Sequence, residues 1–561
     1  MEGLTGIIKA QIWMLRNYCA RVREEPRLKV VFILCFVLAF WFGTLGISYQ
    51  GFRFLNRFPL VGGILVNETI YLFFAALFIL LVLSSIIICY MTFYTASETD
   101  FLFSKPISET IVFFYRFMQS VFFSSWAFLF LGVPFLIAYA LIKQVPIWFY
   151  GVIPLYFIPY LIMPTAVASL IILVIMRFMN FEKVKYILAI AVGALIGVFY
   201  WAYKINIRPA FSAKTEMEFI MNDLLHHVRF FRYPLFPGYW ISRSIISSSV
   251  NNIPDALFYF LTFTITTIFL IQINWFVAHK TFFRGWVTSR GGRRERAYPV
   301  HKGIINRMAF FLFFLPRSTV TMIIKDTKIF LRDPAQWSQF LLYFSILGIY
   351  IFNLRNIPTE AISPFWRVNI TFLNLTATVL VLASLTVRFL FPLMSLEGNK
   401  IWVLGLAPIT FRRLIFQKFF TYLAGILVIS ESLMLATNII LKTSRPLIYV
   451  SCGVAGLASF GLVGLSIGLG SLYPNFREDN TAKIVSGFGG TLNFVVALFY
   501  VVIVIGAFLG PFYNFEVNGF ISEQIFHGML AVSWLVTVVM TAVVGIAPMV
   551  MGYRQLEHME Y

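Results

Sequence analysis

Apolar runs of roughly 20 residues or more follow one another along the chain, with shorter polar segments between them. A helix of about 20 apolar residues is long enough to cross the hydrocarbon layer of a bilayer. The sequence contains no succession of alternating polar and apolar segments, which is typical of transmembrane β-barrels. The pattern therefore predicts an all-α polytopic membrane protein with about twelve spans. We place them at 28–48, 68–94, 119–142, 148–178, 184–204, 255–278, 337–354, 368–394, 420–441, 448–473, 484–508 and 527–552.

The predicted spans form two groups of six, separated by a basic segment. We therefore divide the chain into a first six-span half at 1–278, a cytoplasmic linker at 279–317 and a second six-span half at 318–561. The glycines and charges of Ser289–Arg296 indicate that the linker is solvated. It either binds anionic lipids or only keeps its neighbouring spans on the inner side of the membrane.

Short matches between the two groups indicate an internal repeat. They occur in the same order around equivalent spans, and the first two share one sequence offset. The matching pairs are Lys105–Ser108 with Ala407–Thr410, Phe114–Phe117 with Phe416–Phe419, and Asn180–Glu182 with Asn475–Arg477. Because each group has an even number of spans, the two halves are expected to be parallel repeats.

Charge and composition narrow the functional class. Only 12% of the residues are charged and 60% are hydrophobic, which excludes a water-soluble enzyme. The net charge of +20 comes from basic residues between apolar runs, so they indicate topology and lipid contact and not nucleic-acid binding. Most of them face the cytoplasm if both termini do. We expect a multi-pass protein of the inner (cytoplasmic) membrane with cytoplasmic termini.

The sequence indicates no metal, disulfide or nucleotide site in this chain. Its four cysteines show no ligand-like pairing, and His226 and His227 are adjacent and would point apart on a helix. The phosphate-binding pattern GxxxxGKS or GxxxxGKT does not occur. We therefore expect no cofactor and no enzymatic activity in this chain.

An amphipathic segment precedes the first span of each half. Leu4–Val22 and Ser318–Arg332 place apolar residues at helical spacing, with Lys325, Asp326 and Arg332 assigned to the wet side of the second. Both are predicted to be interfacial helices on the inner leaflet. They serve either as passive anchors or as contacts for a partner.

The loops after the second and eighth spans are long, polar and yet partly apolar, which predicts helices at the membrane surface around 98–117 and 397–418. Such helices could dock two ATPase subunits; the alternative is a solvated loop. The candidate coupling residues are Glu98, Asp100, Lys105, Pro106, Ser108, Glu397, Lys400, Pro408, Thr410 and Arg412, with Asn475, Phe476 and Arg477 after the tenth span. Lys418 is also expected to expose its charge.

Two ionisable residues fall inside predicted spans, where charge is costly. Glu431 lies near the middle of the ninth span and Arg388 about a quarter of the way into the eighth. If these helices adjoin, the two side chains are close enough in depth to meet. They form either a structural ion pair or a contact with substrate.

Glycine and proline positions predict how some spans pack. The pairs Gly464 with Gly468 and Gly193 with Gly197 allow close helix contact or, alternatively, a moving seam. Three prolines at 154, 159 and 164 remove backbone donors, so the fourth span is expected to bend or break.

The arrangement resembles the permeases of ABC exporters of the G and A subfamilies. The chain is also similar to a bacterial family of ABC transporter permeases in which phrases akin to Thr95–Leu102 and Tyr473–Asn480 recur. This resemblance covers nearly the whole chain. It implies an interfacial connecting helix, a coupling helix and a membrane-associated outer loop in each half, the outer loops being Ile205–Pro254 and Gly510–Phe526. It also implies two copies of an ATP-binding subunit, which would bind ATP and magnesium in place of this chain.

The expected function is that of a permease subunit that exports a lipid-like or amphipathic compound by alternating access, driven by separate ATPases. The direction of transport rests on the resemblance alone. An ion-coupled secondary transporter is the first alternative, although the spans contain few carboxylates. A membrane-embedded lipid-modifying enzyme is the second, and it would need converging catalytic groups at membrane depth.

Overall fold

A computed structural model of the chain describes residues 27–57, 62–178, 233–291 without 235, 316–332, 364–400, 410–476, 481–517 and 522–558. Isolated positions are also described before residue 27, between 336 and 354, and at 519. Within these ranges every regular element is a helix. The chain forms two compact units, Met1–Tyr298 and Pro299–Tyr561.

The first unit contains seven described helices. They are α1 (Arg27–Asn56), α2 (Gly62–Tyr90), α3 (Ser97–Phe103), α4 (Glu109–Lys143), α5 (Trp148–Phe178), α6 (Pro237–Ser249) and α7 (Ile253–Gly291). One apolar core gathers around Phe74, Phe128 and Tyr160, and a second gathers around Phe93 and Phe282. Because α7 continues to Gly291, the beginning of the predicted linker is helical.

The second unit contains seven more described helices. They are α8 (Arg317–Arg332), α9 (Pro364–Leu385), α10 (Phe411–Ile440), α11 (Arg445–Leu472), α12 (Thr481–Val485), α13 (Phe488–Phe512) and α14 (Glu523–Glu557). One continuous core, which includes Leu382, Leu462 and Val504, joins most of them. The predicted amphipathic segment at 318–332 is thus a helix.

Nine of the described helices are long and apolar enough to cross a membrane, and α4 is a tenth if its two arms count as one span, bent by 50° between Ser125 and Phe128. Their outward faces are also apolar: Phe258, Ile265 and Phe269 on α7 are all more than half exposed. A surface of this kind needs hydrocarbon around it. The predicted polytopic helical class is confirmed in this coarse form.

Two of the predicted spans cannot be compared with a continuous helix of the structure. The fifth, at 184–204, lies outside the described residues, as does the Gly193 and Gly197 pair. The seventh, at 337–354, is described only at isolated helical positions. The N-terminal amphipathic segment is likewise described only at single positions such as Trp13. Of the predicted outer loop at 205–254, the described part forms α6, which packs against α2 and α7.

Glycines bring α11 and α14 into backbone contact. A β-carbon on Gly464 would lie 2.6 Å from the carbonyl oxygen of Gly545, and one on Gly468 would lie 2.5 Å from the backbone nitrogen of Met549. Residues with side chains at these positions would push the helices apart. The close packing predicted for this glycine pair is therefore present.

The three prolines of the fourth predicted span do not break it. Helix α5 is continuous from Trp148 to Phe178 and contains Pro154, Pro159 and Pro164. The expected break is thus wrong for this helix, and the alternative, a bend, stays a prediction. Helix α5 packs against α2 and α7, and membrane helices tolerate proline because neighbouring groups can satisfy the backbone acceptors that it leaves free.

Candidate functional site

The loop after α2 begins with a widened helical turn. Residues Met91–Thr95 form a π-helical turn that extends α2, and such turns are frequent at functional positions. The Thr92 hydroxyl lies 2.6 Å from the Ser120 hydroxyl on α4. The Thr99 hydroxyl donates a hydrogen bond of 3.0 Å to the Thr92 carbonyl oxygen. These contacts fix the start of α3 against the end of α2.

An ion pair joins this loop to the helix that follows it. The Arg116 guanidinium on α4 is 1% exposed, and its Nη1 atom donates to Glu98 Oε2 at 2.9 Å and to Gln119 Oε1 at 2.5 Å. The Nε and Nη2 atoms are buried and have no hydrogen-bond partner among the described residues. The exposed Glu98 carboxylate thus compensates a buried charge.

Asp100 ties the same loop to α7. Its Oδ1 atom accepts a hydrogen bond of 2.9 Å from the Trp286 indole nitrogen. By contrast, Lys105, Pro106 and Ser108 are exposed at the turn between α3 and α4. The loop therefore has a fixed base and an exposed tip. The predicted surface helix at 98–117 is divided at this tip into α3 and the first turns of α4.

The loop after α9 is built on the same plan. A π-helical turn, Thr386–Leu390, extends α9, and short 3₁₀ turns follow at Phe391–Leu393 and Ser395–Lys400. Glu397 Oε1 lies 3.0 Å from Lys418 Nζ on α10. Lys418, like Arg116 in the first unit, is a buried cation paired with a glutamate of the preceding loop.

This second ion pair belongs to a larger cluster of charges. Asp326 Oδ2 on α8 lies 3.2 Å from Lys418 Nζ and accepts a hydrogen bond of 3.1 Å from the Tyr422 hydroxyl. Lys325 Nζ lies 2.6 and 2.7 Å from the two Glu397 oxygens and 3.5 Å from Asp326 Oδ1. Two carboxylates and two ammonium groups therefore compensate one another. Because the cluster joins α8, the loop and α10, it holds three segments together.

The exposure predicted for several of these charges was wrong. Lys418 is 3% exposed and Glu397 is 11% exposed. Asp326, assigned to the wet side of its helix, is only 12% exposed. Lys418 lies on the buried face of α10 beside Leu414 and Ile415, and its two carboxylate partners offset the cost of burying it.

The other predicted coupling residues are spread around the second loop. Thr410 caps α10, where its Oγ1 atom accepts a hydrogen bond of 3.3 Å from the Arg413 backbone nitrogen. Arg412 is exposed, and the Asn475 backbone nitrogen donates to Ser395 Oγ at 3.0 Å. Phe476 packs against the core of the unit. Lys400 ends the last 3₁₀ turn, whereas Pro408 and Arg477 lie outside the described residues.

A comparison with protein families gives one match over nearly the whole chain. The family model described as "Putative ATP-binding cassette" matches residues 21–561. The chain belongs to this ABC-related family. Neither curated proteins nor solved structures match the chain. The family's description names ATP binding, whereas the described part of this ABC-family chain consists of long apolar helices.

The intramembrane polar residues of this ABC-family chain contact different neighbours. Arg388, inside the π-helical turn of the second loop, donates from Nε to Gln339 Oε1 at 2.6 Å. Glu431 is half-buried on α10 and faces α11, where a β-carbon on Gly456 would lie 3.2 Å from its Oε1 atom. Their pairing stays a prediction.

Sequence reasoning missed Arg116 as a buried ion-pair partner. The signal was present, because Arg116 follows Val112 by four residues and Phe113 by three, and both are buried. A charge on an otherwise apolar helix face indicates a buried partner. The sequence match of Arg116 with Lys418 would then have directed attention to Glu98 and Glu397.

Proposed function

We propose that this chain is the membrane permease subunit of an ABC transporter and that separate ATPase subunits hydrolyse ATP for it. Three observations support the proposal: membership of an ABC-related family, a set of long apolar helices, and a sequence without a phosphate-binding loop. The partner in this scheme is a pair of ABC ATPase subunits. The chain itself has no enzymatic activity and binds no cofactor.

The main support for the proposal is the way in which the loops after α2 and α9 are attached to the helices that follow them. In each unit a loop residue, Glu98 or Glu397, is ion-paired to a buried cation on the next helix, Arg116 or Lys418. A force applied to the loop is then transmitted to that helix without first bending the loop. This is what a coupling segment requires if an ATPase moves it.

The first loop has a surface on which such a force could act. Lys105, Pro106 and Ser108 are exposed, while Asp100 and Glu98 hold the base of the loop in place. The exposed Arg412 lies at the start of α10 in the second unit. We assign these exposed residues to ATPase contact and the buried ion pairs to transmission.

In the proposed mechanism, the ATPases close on ATP and move α4 and α10, which shifts the two repeated halves in alternating access. The loops and termini face the cytoplasm and the protein lies in the inner membrane. Export of a lipid-like or amphipathic substrate suits the apolar, aromatic character of the spans. The equivalence of Arg116 and Lys418 supports the two-fold repeat.

The ion-coupled transporter remains the second candidate because one observation favours it. Asp326 and Glu397 bring two largely buried carboxylates to one place, and coupling ions bind such groups. Both carboxylates are, however, paired with lysines, and α8 is an amphipathic helix. The permease function accounts better for a neutral, loop-anchoring cluster.

Purification of the chain from its native membrane tests the proposal. We expect a stoichiometric ATPase to accompany the wild-type chain. The charge reversals Lys105→Glu and Arg412→Glu should reduce its recovery, because both side chains are exposed and their loss breaks no ion pair of the loops. Glu98 and Glu397 are unsuitable targets here, since their replacement would also destabilise the loops.

Lys442→Glu is the matched control, because it applies the same charge reversal to an exposed lysine at the other end of α10. Its ATPase recovery should equal that of the wild type. Recovery of the chain without any ATPase, together with ion-driven uptake in liposomes, would overturn the proposal in favour of secondary transport. Equal losses in all three variants would show that the exposed loop surface is not the contact.

A further inference from the structure

A cavity of about 260 Å³ lies inside the second unit. It is partly open and is lined by α8, by the end of α9 with the turns that follow it, by the middle of α10, and by Gln336 and Phe340. The π-helical turn widens α9 at Phe389 and Leu390, both of which line the space. Every described lining residue belongs to the second unit, so the cavity is described within that unit alone.

The lining has two different parts. Most of it is apolar and aromatic, including Phe330, Phe340, Phe389 and Ile426. At one end the lining becomes polar, with Asp326, Glu397 and Tyr422. An apolar body with a few convergent polar groups is the usual composition of a small-molecule site.

The polar end of the cavity presents negative charge and no positive charge from the cluster. Among the described residues the lining includes both carboxylates of the charge cluster and neither of its lysines. Lys418 is buried behind the carboxylates, being 3% exposed, whereas Lys325 is 33% exposed. The Tyr422 hydroxyl already donates its proton to Asp326. A molecule in the cavity therefore meets carboxylate oxygens, which accept hydrogen bonds and attract a cation.

Lys325 marks the position of a cation in this site. Its Nζ atom lies within 2.7 Å of both Glu397 oxygens and 3.5 Å from Asp326 Oδ1. Because its side chain is 33% exposed, it can turn towards solvent, and a second ammonium group in its place would keep both carboxylates compensated. Lys418 cannot do so, since it is enclosed.

We propose that this cavity binds a hydrophobic primary amine. The apolar body of the ligand lies among Phe330, Phe340 and Phe389, and its ammonium group replaces that of Lys325 between Glu397 and Asp326. Lys325 then turns towards solvent, so the number of charges in the cluster is unchanged. The cavity volume lies just below the usual range for drug-sized sites, which favours a single short alkyl or aryl chain.

This inference goes beyond the proposed permease function and does not rest on it. The site could take a transported substrate or a regulatory lipid-like amine, and in either case binding requires only the second unit. Binding can therefore be measured in the absence of ATP and of any ATPase. A negative result would leave the ATPase copurification test unaffected.

Photolabelling of the full chain in nanodiscs of neutral lipid tests the proposal. Decylamine, decanol and decanoic acid, each carrying the same diazirine, have the same apolar body and different heads. We expect the amine to label peptides of α8, α9 and α10 that line the cavity, and to do so about tenfold more than the carboxylate. Unlabelled decylamine should compete. Each variant is first checked with the alcohol, which needs no carboxylate.

Two substitutions should act in opposite directions on labelling by the amine. Glu397→Gln should lower it roughly tenfold, because a charge-assisted contact is lost. Lys325→Met should raise it several-fold, since the competing ammonium is removed, and unchanged labelling by decanol would exclude a nonspecific gain. Labelling by decanol should be similar in wild type and both variants.

Three results would overturn the proposal. The first is equal labelling of the cavity by the three probes, which would show nonspecific partitioning. The second is preferential labelling by the carboxylate, which would assign the site to an anionic lipid. The third is no gain with Lys325→Met. If Glu397→Gln loses decanol labelling as well, Lys325→Met alone decides the question.

Discussion

The Nη1 atom of Arg116 lies 2.9 Å from the Oε2 atom of Glu98, although Arg116 is 1% exposed and Glu98 is 63% exposed. The pair therefore crosses the boundary between the interior of the first unit and its surface. Two further nitrogens of the guanidinium are buried without a partner among the described residues. The buried cation depends on a loop carboxylate, which makes the loop position sensitive to anything that contacts Glu98.

The first prediction concerns the two sides of this pair. Glu98→Gln should destabilise the purified protein more than Arg116→Met, because the first variant strands a buried charge and the second removes it. We expect a loss of about 1 kcal/mol for Glu98→Gln, since the carboxylate is largely solvated. Unfolding in mixed detergent micelles measures both. A larger loss for Arg116→Met would show that packing of the arginine stem matters more than its charge.

The second prediction compares the equivalent glutamates. Glu397→Gln should cost more than Glu98→Gln, about 3 kcal/mol, because Glu397 is 11% exposed and its partner Lys418 is 3% exposed. Because Asp326 remains as a partner of Lys418 in this variant, the expected loss lies at the low end of the range for a broken buried ion pair. The same unfolding measurement applies. Adding Lys418→Met to Glu397→Gln should recover part of the stability; no recovery would contradict the ion-pair explanation.

The third prediction concerns the contact of α11 with α14. Gly464→Ala should destabilise the protein by about 1–3 kcal/mol, because its β-carbon would lie 2.6 Å from the Gly545 carbonyl oxygen. Gly506→Ala is the control, since its β-carbon would meet nothing within 4 Å. The control should be neutral or slightly stabilising, as alanine favours the helix. Thermal unfolding in detergent distinguishes them, and equal effects would argue against close backbone contact.

The fourth prediction uses the turn between α4 and α5. Gln144 has a φ of 50° and is exposed, and Lys442 has a φ of 47° at the corresponding turn between α10 and α11. Gln144→Gly should stabilise the protein by about 0.5–1 kcal/mol, because glycine adopts this conformation without strain. Gln144→Val should destabilise it, since a β-branched residue is strained there. Shifts of the thermal midpoint in the same direction for both variants would contradict this reasoning.

The helical membrane class followed from the sequence because it depends on local properties. Run length and apolar composition decide whether a segment crosses hydrocarbon, and both are visible in a window of about 20 residues. Close packing at Gly464 was predictable for a similar reason, since the spacing of small residues places them on one helix face. The positions of the two loops after α2 and α9 also followed from the spans that flank them.

The charge cluster of the second unit depended on tertiary structure. Lys418 and Asp326 are separated by 92 positions and Lys325 and Glu397 by 72, so no local pattern connects them. Amphipathicity placed Asp326 on a wet face, whereas the structure places it beside Lys418 and Tyr422 of α10, where it is only 12% exposed. The π-helical turns were also unpredicted, because they widen a helix by one residue without a composition of their own.

The sequence by itself thus determined the polytopic helical class and the places of the loops after α2 and α9, because hydrophobic burial in a bilayer is decided segment by segment. Only the tertiary structure decided that Arg116 and Lys418 are buried and paired, and that a cavity lies beside Asp326 and Glu397. The physical reason is that a buried charge is tolerated only where a distant part of the chain supplies the opposite charge.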